Sequence, residues 1–387
     1  MGKKKVIAAG HICLDITPVF PGTGAEHLED VLSPGKLVEV KEADVHTGGC
    51  VANTGLAMKI LGADVTLMGK IGRDEFGDMI LNILRQYDAE SGMLRSENFS
   101  TSYSVVIAVP GIDRLFLHNP GVNNAFRADD IPADIPEDVA LFHFGYPPIM
   151  KTMYENDGAE LVKLMKRMKA AGIATSMDMA AVDAASEAGR ADWEKILSQV
   201  LPFVDFFVPS VEELCFMLDR DRFEEWQQRA KGGNITQVLD VEADIRPLAD
   251  RCMELGAKVL LIKCGAPGIY FRTADRDTLG AVGGDLLPEP EKWADLESFE
   301  RSYVPERIAS GTGAGDTSIA AFLAAVLEGL EPEECLQLAT ATGASCVASY
   351  DALSGLKSFE ELREKIRQGW EKQSLNERGE CDVSQYE

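Results

Sequence analysis

Short apolar runs alternate with stretches whose apolar residues recur every three to four positions, and this alternation extends along most of the chain. Residues 6–12 form a continuous apolar run ended by polar residues, the pattern of a strand buried on both faces of a parallel sheet. Further on, Leu56, Ile60 and Leu61 share a helical face closed by Gly62, residues 65–68 read as a strand, and a helix starts near Asp74 with Phe76, Met79, Ile80 and Ile83 on one side. Strands are expected at 139–144, 173–177, 203–208, 259–263 and 269–272, and helices at 159–171, 211–218, 332–349 and 359–372. Strand, helix, strand repeated this often predicts an α/β fold: a doubly wound, mostly parallel sheet with helices on both faces.

Two excursions, at about 16–47 and 99–120, break the alternation. The first is richer in Pro, Gly and charge and has a possible strand at 36–40. The second reads as strands at 102–109 and 114–118 joined by the turn Pro110-Gly111-Ile112-Asp113. Together they are expected to pair into a small β lid on a single domain spanning 1–387. The charged stretch 219–233, with Gly232-Gly233, reads as a surface insertion, SYVPERIAS at 302–310 as at best a polar strand, and 373–387 as a fraying tail.

Composition narrows the partners. The 45% hydrophobic and 26% charged content is that of an ordinary globular chain. The formal charge of −25 repels phosphate backbones and anionic membrane surfaces, so neither nucleic acid nor membrane is expected as a partner. No apolar run reaches the roughly 18 residues of a membrane span. The eight cysteines are scattered without a CxxC, which suits reduced thiols and a cytoplasmic location. The opening MGKKKVIAAGHICLD passes from a basic run into the first strand and is not read as a signal peptide. The five histidines lack metal-ligand spacing, although His46 and His118 fall in the lid excursions.

The stretch with the most chemistry is ASGTGAGDTSIAAFLAAVLEG at 309–329. Gly311, Gly313 and Gly315 allow a turn that aims several N–H groups at one point, and the helix that follows adds its free N–H groups and positive end. Asp316 stands on the rim. On these residues alone a capped helix and an anion site both remain open. A Walker A loop is absent, because Gly69-Lys70 is followed by Ile71, and the GxGxGD spacing does not fit a dinucleotide fingerprint.

Two separated segments resemble one family. Thr47-Gly48-Gly49-Cys50-Val51-Ala52-Asn53, continued through Gly62 and Gly72-Arg73-Asp74, is similar to the first signature of the ribokinase-like (PfkB) carbohydrate kinases, and residues 310–320 to the second. The resemblance implies ATP and Mg²⁺ as cofactors, leaves room for a monovalent cation, and brings a homodimer through the lid. It makes Asp316 the base that accepts the proton of a sugar hydroxyl, with the N–H groups of Gly313, Ala314 and Gly315 as the anion hole. Asp15 becomes an acceptor for sugar hydroxyls, Gly48 and Gly49 allow backbone approach to the sugar, and Asn53 and Asn123, with Asn124, contact it; on the residues alone a turn-capping Asp15, an N-cap Asn53 and ordinary loop asparagines at 123 and 124 stay open. Lys263, Gly265 and Gly268 are placed by the nucleotide, where the alternative for Lys263 is a strand-end lysine in solvent, and the helix 338–349 flanks the adenine. Glu213 is placed by the metal's hydration shell, although Ser210 stands where the family has Asn.

The expected substrate is a free sugar, because GGCVAN lacks the lysine that family members acting on sugar phosphates often carry there. Arg114, Lys36 or Lys41 keeps sugar phosphates and sugar acids open, and Phe99, Tyr103, Phe116 and Phe126 keep a nucleoside open. A sugar-binding regulator without turnover is the alternative from another class.

Overall fold

The computed structural model describes residues 4–22, 27–110, 115–349 and 351–375. Its centre is an eight-stranded sheet in the order Glu297–Arg301, Gly268–Thr273, Val259–Lys263, Phe206–Phe207, Ala174–Asp178, Val139–Gly145, Lys5–Gly10, Asp64–Met68. The last six are parallel, and the first two join antiparallel at one edge. All seven residues of Val139–Gly145 are buried, which explains why this strand reads as an unbroken apolar run. Side chains leave the first strand alternately. Val6 and Ala8 pack with Val51, Leu56, Ile319, Phe322 and Leu338 on one face, while Ile7 and Ala9 pack with Leu161, Ile196, Leu214 and Leu248 on the other.

A second sheet, in the order Ala43–Gly48, Cys13–Pro18, Tyr103–Ile107, Leu115–Asn119, forms the lid. The strand expected at 36–40 does not form. Leu37 is 95% exposed, and the partner of Cys13–Pro18 is Ala43–Gly48, with Asp15 opposite His46. Of the turn expected at 110–113, residues 111–113 lie outside the described residues, as do Arg114 and the tail beyond 375.

Other differences have local causes. The helix expected from 159 starts there: the span Lys151–Ala170 is interrupted at residues 155–158, with left-handed backbone at Asn156 (φ 53°), Asp157 (φ 55°) and Gly158 (φ 76°), and only the short turn ahead of the break was not expected. The polar strand expected within 302–310 is Glu297–Arg301 instead, aligned on Gly268–Thr273 with Tyr270 opposite Phe299. The supposed surface insertion contains the helix Arg220–Ala230, whose Trp226 is fully buried and donates to Asp244 Oδ1 at 3.0 Å. Two aromatics, Trp226 and Phe223, among eleven mostly charged residues are easily read as a solvated surface.

Candidate active site

The parallel strands end together at one edge of the sheet, and the side chains with chemistry gather there. The helix Ala314–Glu328 begins at this edge from Gly313, whose backbone is left-handed (φ 74°) and whose absent Cβ would lie 2.2 Å from that of Ala352. No side chain caps this helix, so its first-turn N–H groups are not consumed by one. The Ala314 N–H makes only a long bond to the Gly311 carbonyl, at 3.4 Å.

Asp316 sits in that first turn, 6% exposed. Its Oδ2 accepts from Asn53 Nδ2 at 3.0 Å, and its Oδ1 accepts from Thr54 Oγ1 at 3.3 Å and from Tyr146 Oη at 2.7 Å. Asn53 and Thr54 belong to the helix Cys50–Ile60, so residues 263 positions apart in sequence meet on one carboxylate.

The glycine pair that opens the Cys50–Ile60 helix has a steric explanation. A Cβ on Gly48 would lie 2.0 Å from Asp15 Oδ2, and one on Gly49 (φ 84°) would lie 2.6 Å from His11 Nδ1. Asp15 accepts from Cys13 Sγ at 3.2 Å. Burial pushes the Asp15 carboxyl above its ordinary value; hydrogen bonds from Cys13 and Ser104 oppose the shift, and Asp316 adds to it. His11 is 1% exposed, with its ring 5.1 Å from that of His118 in the lid and 6.1 Å from that of Tyr146. Among the described residues neither His11 nitrogen has a hydrogen-bond partner, and burial, reinforced by His118, holds the imidazole well below its usual range. Behind them Cys50 Sγ meets His143 Nε2 at 3.2 Å and His143 Nδ1 meets Ser176 Oγ at 3.0 Å, with Cys50 occupying the space a Cβ on Gly145 would fill.

Beside the first turn of the same helix, Lys263 Nζ donates to Asp178 Oδ1 at 2.7 Å, and the lysine stem passes 3.3 Å from where a Cβ on Gly315 would stand. Burial works against both charges, pushing the Asp178 carboxyl up and the Lys263 ammonium down. For Lys263 the neighbouring carboxylates of Asp178, Glu213 and Asp316 prevail, and it is held as a cation. Asp178 Oδ2 is buried with no hydrogen-bond partner among the described residues.

The profile of the pfkB family carbohydrate kinases matches residues 4–358. The chain belongs to this family. Relatives of this kinase family member include an uncharacterized sugar kinase of Archaeoglobus fulgidus, 25% identical over 302 residues, covering 78% of this chain and 98% of the relative. A probable fructokinase-4 of Arabidopsis thaliana is 23% identical over 387 residues (94% and 97%), and a 5-dehydro-2-deoxygluconokinase of Clostridium beijerinckii is 21% identical over 371 residues (95% and 94%). The fold is shared with an Arabidopsis thaliana ribokinase complexed with ribose and ATP (TM-score 0.66, 19% identity, 95% of this chain and 99% of that one). It is also shared with an ATP-bound fructokinase from Xylella fastidiosa (TM-score 0.67, 19% identity, 95% and 99%).

Within this pfkB family member the structure brings together Asp316, Gly313, Ala314, Gly315, Asp15, Gly48, Gly49, Asn53 and Lys263. Other expected site residues have local structural partners. The Asn123 amide is fully buried and spent on the Ile12 backbone, donating to its carbonyl at 2.8 Å and accepting from its N–H at 3.4 Å, so it positions the His11–Asp15 segment. Asn124 Oδ1 accepts from the Lys151 N–H at 2.9 Å. Gly268 permits strand pairing, since a Cβ there would lie 2.2 Å from the Glu300 carbonyl oxygen, and Gly265 (φ 67°) makes room for Thr236. Glu213 completes a capping box with Ser210, accepting from its N–H at 2.7 Å, so Ser210 in place of Asn has a sufficient reason in the helix start. Lys263 is not a solvent lysine, its side chain being 14% exposed.

Sequence reasoning missed Tyr146, His11, Thr54 and Asp178. All but Thr54 lie at or just past the ends of parallel strands, which was the available signal.

Proposed function

We propose that this chain transfers the γ-phosphoryl group of ATP to a hydroxyl of a small uncharged sugar, with Asp316 as the base. The observation that carries the reading is the Asn53–Asp316 hydrogen bond at 3.0 Å, which joins the two signatures at an uncapped helix start. An acceptor hydroxyl donates to Asp316 and loses its proton there as its oxygen bonds to phosphorus. The N–H groups at the start of Ala314–Glu328 and the Lys263 ammonium stabilise charge on the phosphoryl oxygens. Asp15 accepts from further sugar hydroxyls and fixes the orientation of the ring.

Asp178 and Glu213 fit Mg²⁺. The orphaned Asp178 Oδ2 is an unused hard oxygen beside a second carboxylate, and Mg²⁺ is commonly held by one or two carboxylates, retained waters and substrate phosphates. When bound, the ion supplies neutralisation of phosphate charge. The adenine is assigned to the outer end of Pro332–Cys346, where a cavity of about 570 Å³ is lined by Arg307, Ala344, Ser345, Ala348 and Ser349.

The pocket chemistry favours an uncharged acceptor. An anionic sugar would meet two carboxylates, Asp15 and Asp316, and the neutral imidazole of His11, while Lys263 faces Asp178. Two of the rings that kept a nucleoside open are committed elsewhere: Phe126 is fully buried against Phe144, and Tyr103 packs on Phe76. ADP release measured over free sugars, sugar acids, sugar phosphates and nucleosides tests the assignment. The expected result is turnover confined to free sugars. Preference for an anionic sugar or a nucleoside would overturn the substrate class, and calorimetric sugar binding without ADP release would favour the regulator. A lid-to-lid homodimer and a cytoplasmic location belong to the same reading, and sedimentation and cell fractionation test them.

A further inference from the structure

Asp316 is nearly saturated without any substrate. A carboxylate offers about four lone-pair sites. Asn53, Thr54 and Tyr146 take three of them, and the Tyr146 contact is the shortest, at 2.7 Å. Tyr146 differs from the other two donors in origin. It follows the strand Val139–Gly145, not a signature helix, and its backbone is left-handed (φ 68°, ψ 38°), which is uncommon for a bulky residue. That conformation is held by its own N–H on the Asp178 carbonyl at 3.3 Å, by the His11 N–H on the Gly145 carbonyl at 3.2 Å, and by Pro147 and Pro148 immediately after. The phenol is therefore aimed at the carboxylate by surrounding constraints. The phenol carries its proton at neutral pH and its hydroxyl points at a carboxylate oxygen, so Tyr146 acts as a donor and not as a second base.

We propose that the Tyr146 hydroxyl stands in the acceptor's place on Asp316 until a polyol displaces it, so that Tyr146 keeps water from serving as the phosphoryl acceptor. The proposal rests on the kinase reading and on Asp316 as base. Transfer to sugar and transfer to water are the same step. The acceptor oxygen bonds to the γ-phosphorus as the bond to the bridging oxygen breaks, ADP leaves with the electron pair, and the acceptor proton passes to Asp316. The products are a sugar phosphate in one case and inorganic phosphate in the other. Water brings one weak contact with which to displace the phenol. A sugar brings several hydroxyls, some gripped by Asp15, and competes successfully. The neighbouring His11 ring, 6.1 Å from that of Tyr146, helps wall the phenol against Asp316.

The test is ADP release by the full chain with ATP and Mg²⁺, without sugar and at saturation of the sugar that the acceptor panel identifies. The proteins are wild type, Tyr146→Phe, Tyr146→Leu and Asp316→Asn, with Tyr154→Phe as a control that packs on Trp193 outside the site. Loss of a hydrogen bond to a charged group predicts that both Tyr146 variants raise sugar-free ADP and phosphate release roughly tenfold. The ratio of sugar-dependent to sugar-free turnover should fall by a similar factor, while Tyr154→Phe keeps the wild-type ratio. A wild-type ratio in a Tyr146 variant that melts cooperatively overturns the proposal, as does a parallel fall of both rates. Asp316→Asn separates the two levels. If it stays active, the base assignment fails; if it is silent and the Tyr146 ratio is unchanged, only the role of Tyr146 fails.

Discussion

Replacing Gly48 with Ala tests the sugar side of the site with a single carbon. The new Cβ would lie 2.0 Å from Asp15 Oδ2, 2.5 Å from its Cγ and 2.8 Å from its Oδ1. Restoring ordinary contact of about 3.4 Å moves the carboxylate by more than 1 Å, and Asp15 is too short to yield by bending a distal end. A displacement of about 1 Å in a positioning group can cost on the order of 100-fold in rate. Gly48→Ala should therefore lower kcat/KM for the sugar by roughly 30- to 100-fold, mostly through KM, while KM for ATP changes little. Gly62→Ala is the matched control. Its Cβ would have open space, and its left-handed backbone (φ 101°) should cost about 1 kcal/mol in stability with sugar kinetics intact. The assay is steady-state ADP release with a parallel thermal melt. A sugar KM within twofold of wild type in folded Gly48→Ala protein would refute the role given to Asp15.

Lys263→Met removes the ammonium but keeps the stem beneath Gly315; kcat/KM for ATP should fall about 100-fold, and a change below threefold would place the lysine outside phosphate recognition. His143 is buried with its imidazole pushed down to about 3 from 6.5, chiefly by burial with Lys263 adding, so the unfolded chain takes up the proton first. The stability from neutral His143 is complete above pH 6.5 and is lost as pH falls towards 3, so His143→Gln should flatten the acid slope of melting by up to about 1.4 kcal/mol per pH unit; equal slopes would contradict this. Trp226→Ala should cost about 3–5 kcal/mol in denaturant melts without altering sugar or ATP KM, and a loss below 1 kcal/mol would restore a surface role for 219–233.

The parts of the fold legible in the sequence were those whose burial is uniform. Val139–Gly145 and Val259–Lys263 are buried along nearly their whole length, and their apolar runs mark them directly. The helix Val211–Leu218 has the bounds its apolar spacing predicts, and the structure opens it with a capping box of Ser210 and Glu213. Elements held by one or two anchors were harder, as with Trp226 in Arg220–Ala230 and the edge strand Glu297–Arg301. Near the candidate site, Asp316 stood out by the glycines that precede it, while the roles expected of Asp316 and Asp15 came from the resemblance of two separated segments to the kinase family. The glycines at 265 and 268 satisfied the same motif through protein packing, which spacing cannot distinguish. Tyr146 and Asp178 were not singled out, because the strands that carry them come beside the start of the Asp316 helix only on folding.

Whether Asp316 takes the proton of the acceptor hydroxyl is decided by Asp316→Asn, because the amide keeps the size and most contacts of the carboxylate. Sugar affinity by calorimetry should stay within about threefold of wild type while kcat falls by roughly 10²- to 10⁴-fold, the usual contribution of a general base. Retention of more than about a tenth of wild-type kcat would mean that Asp316 is not the base.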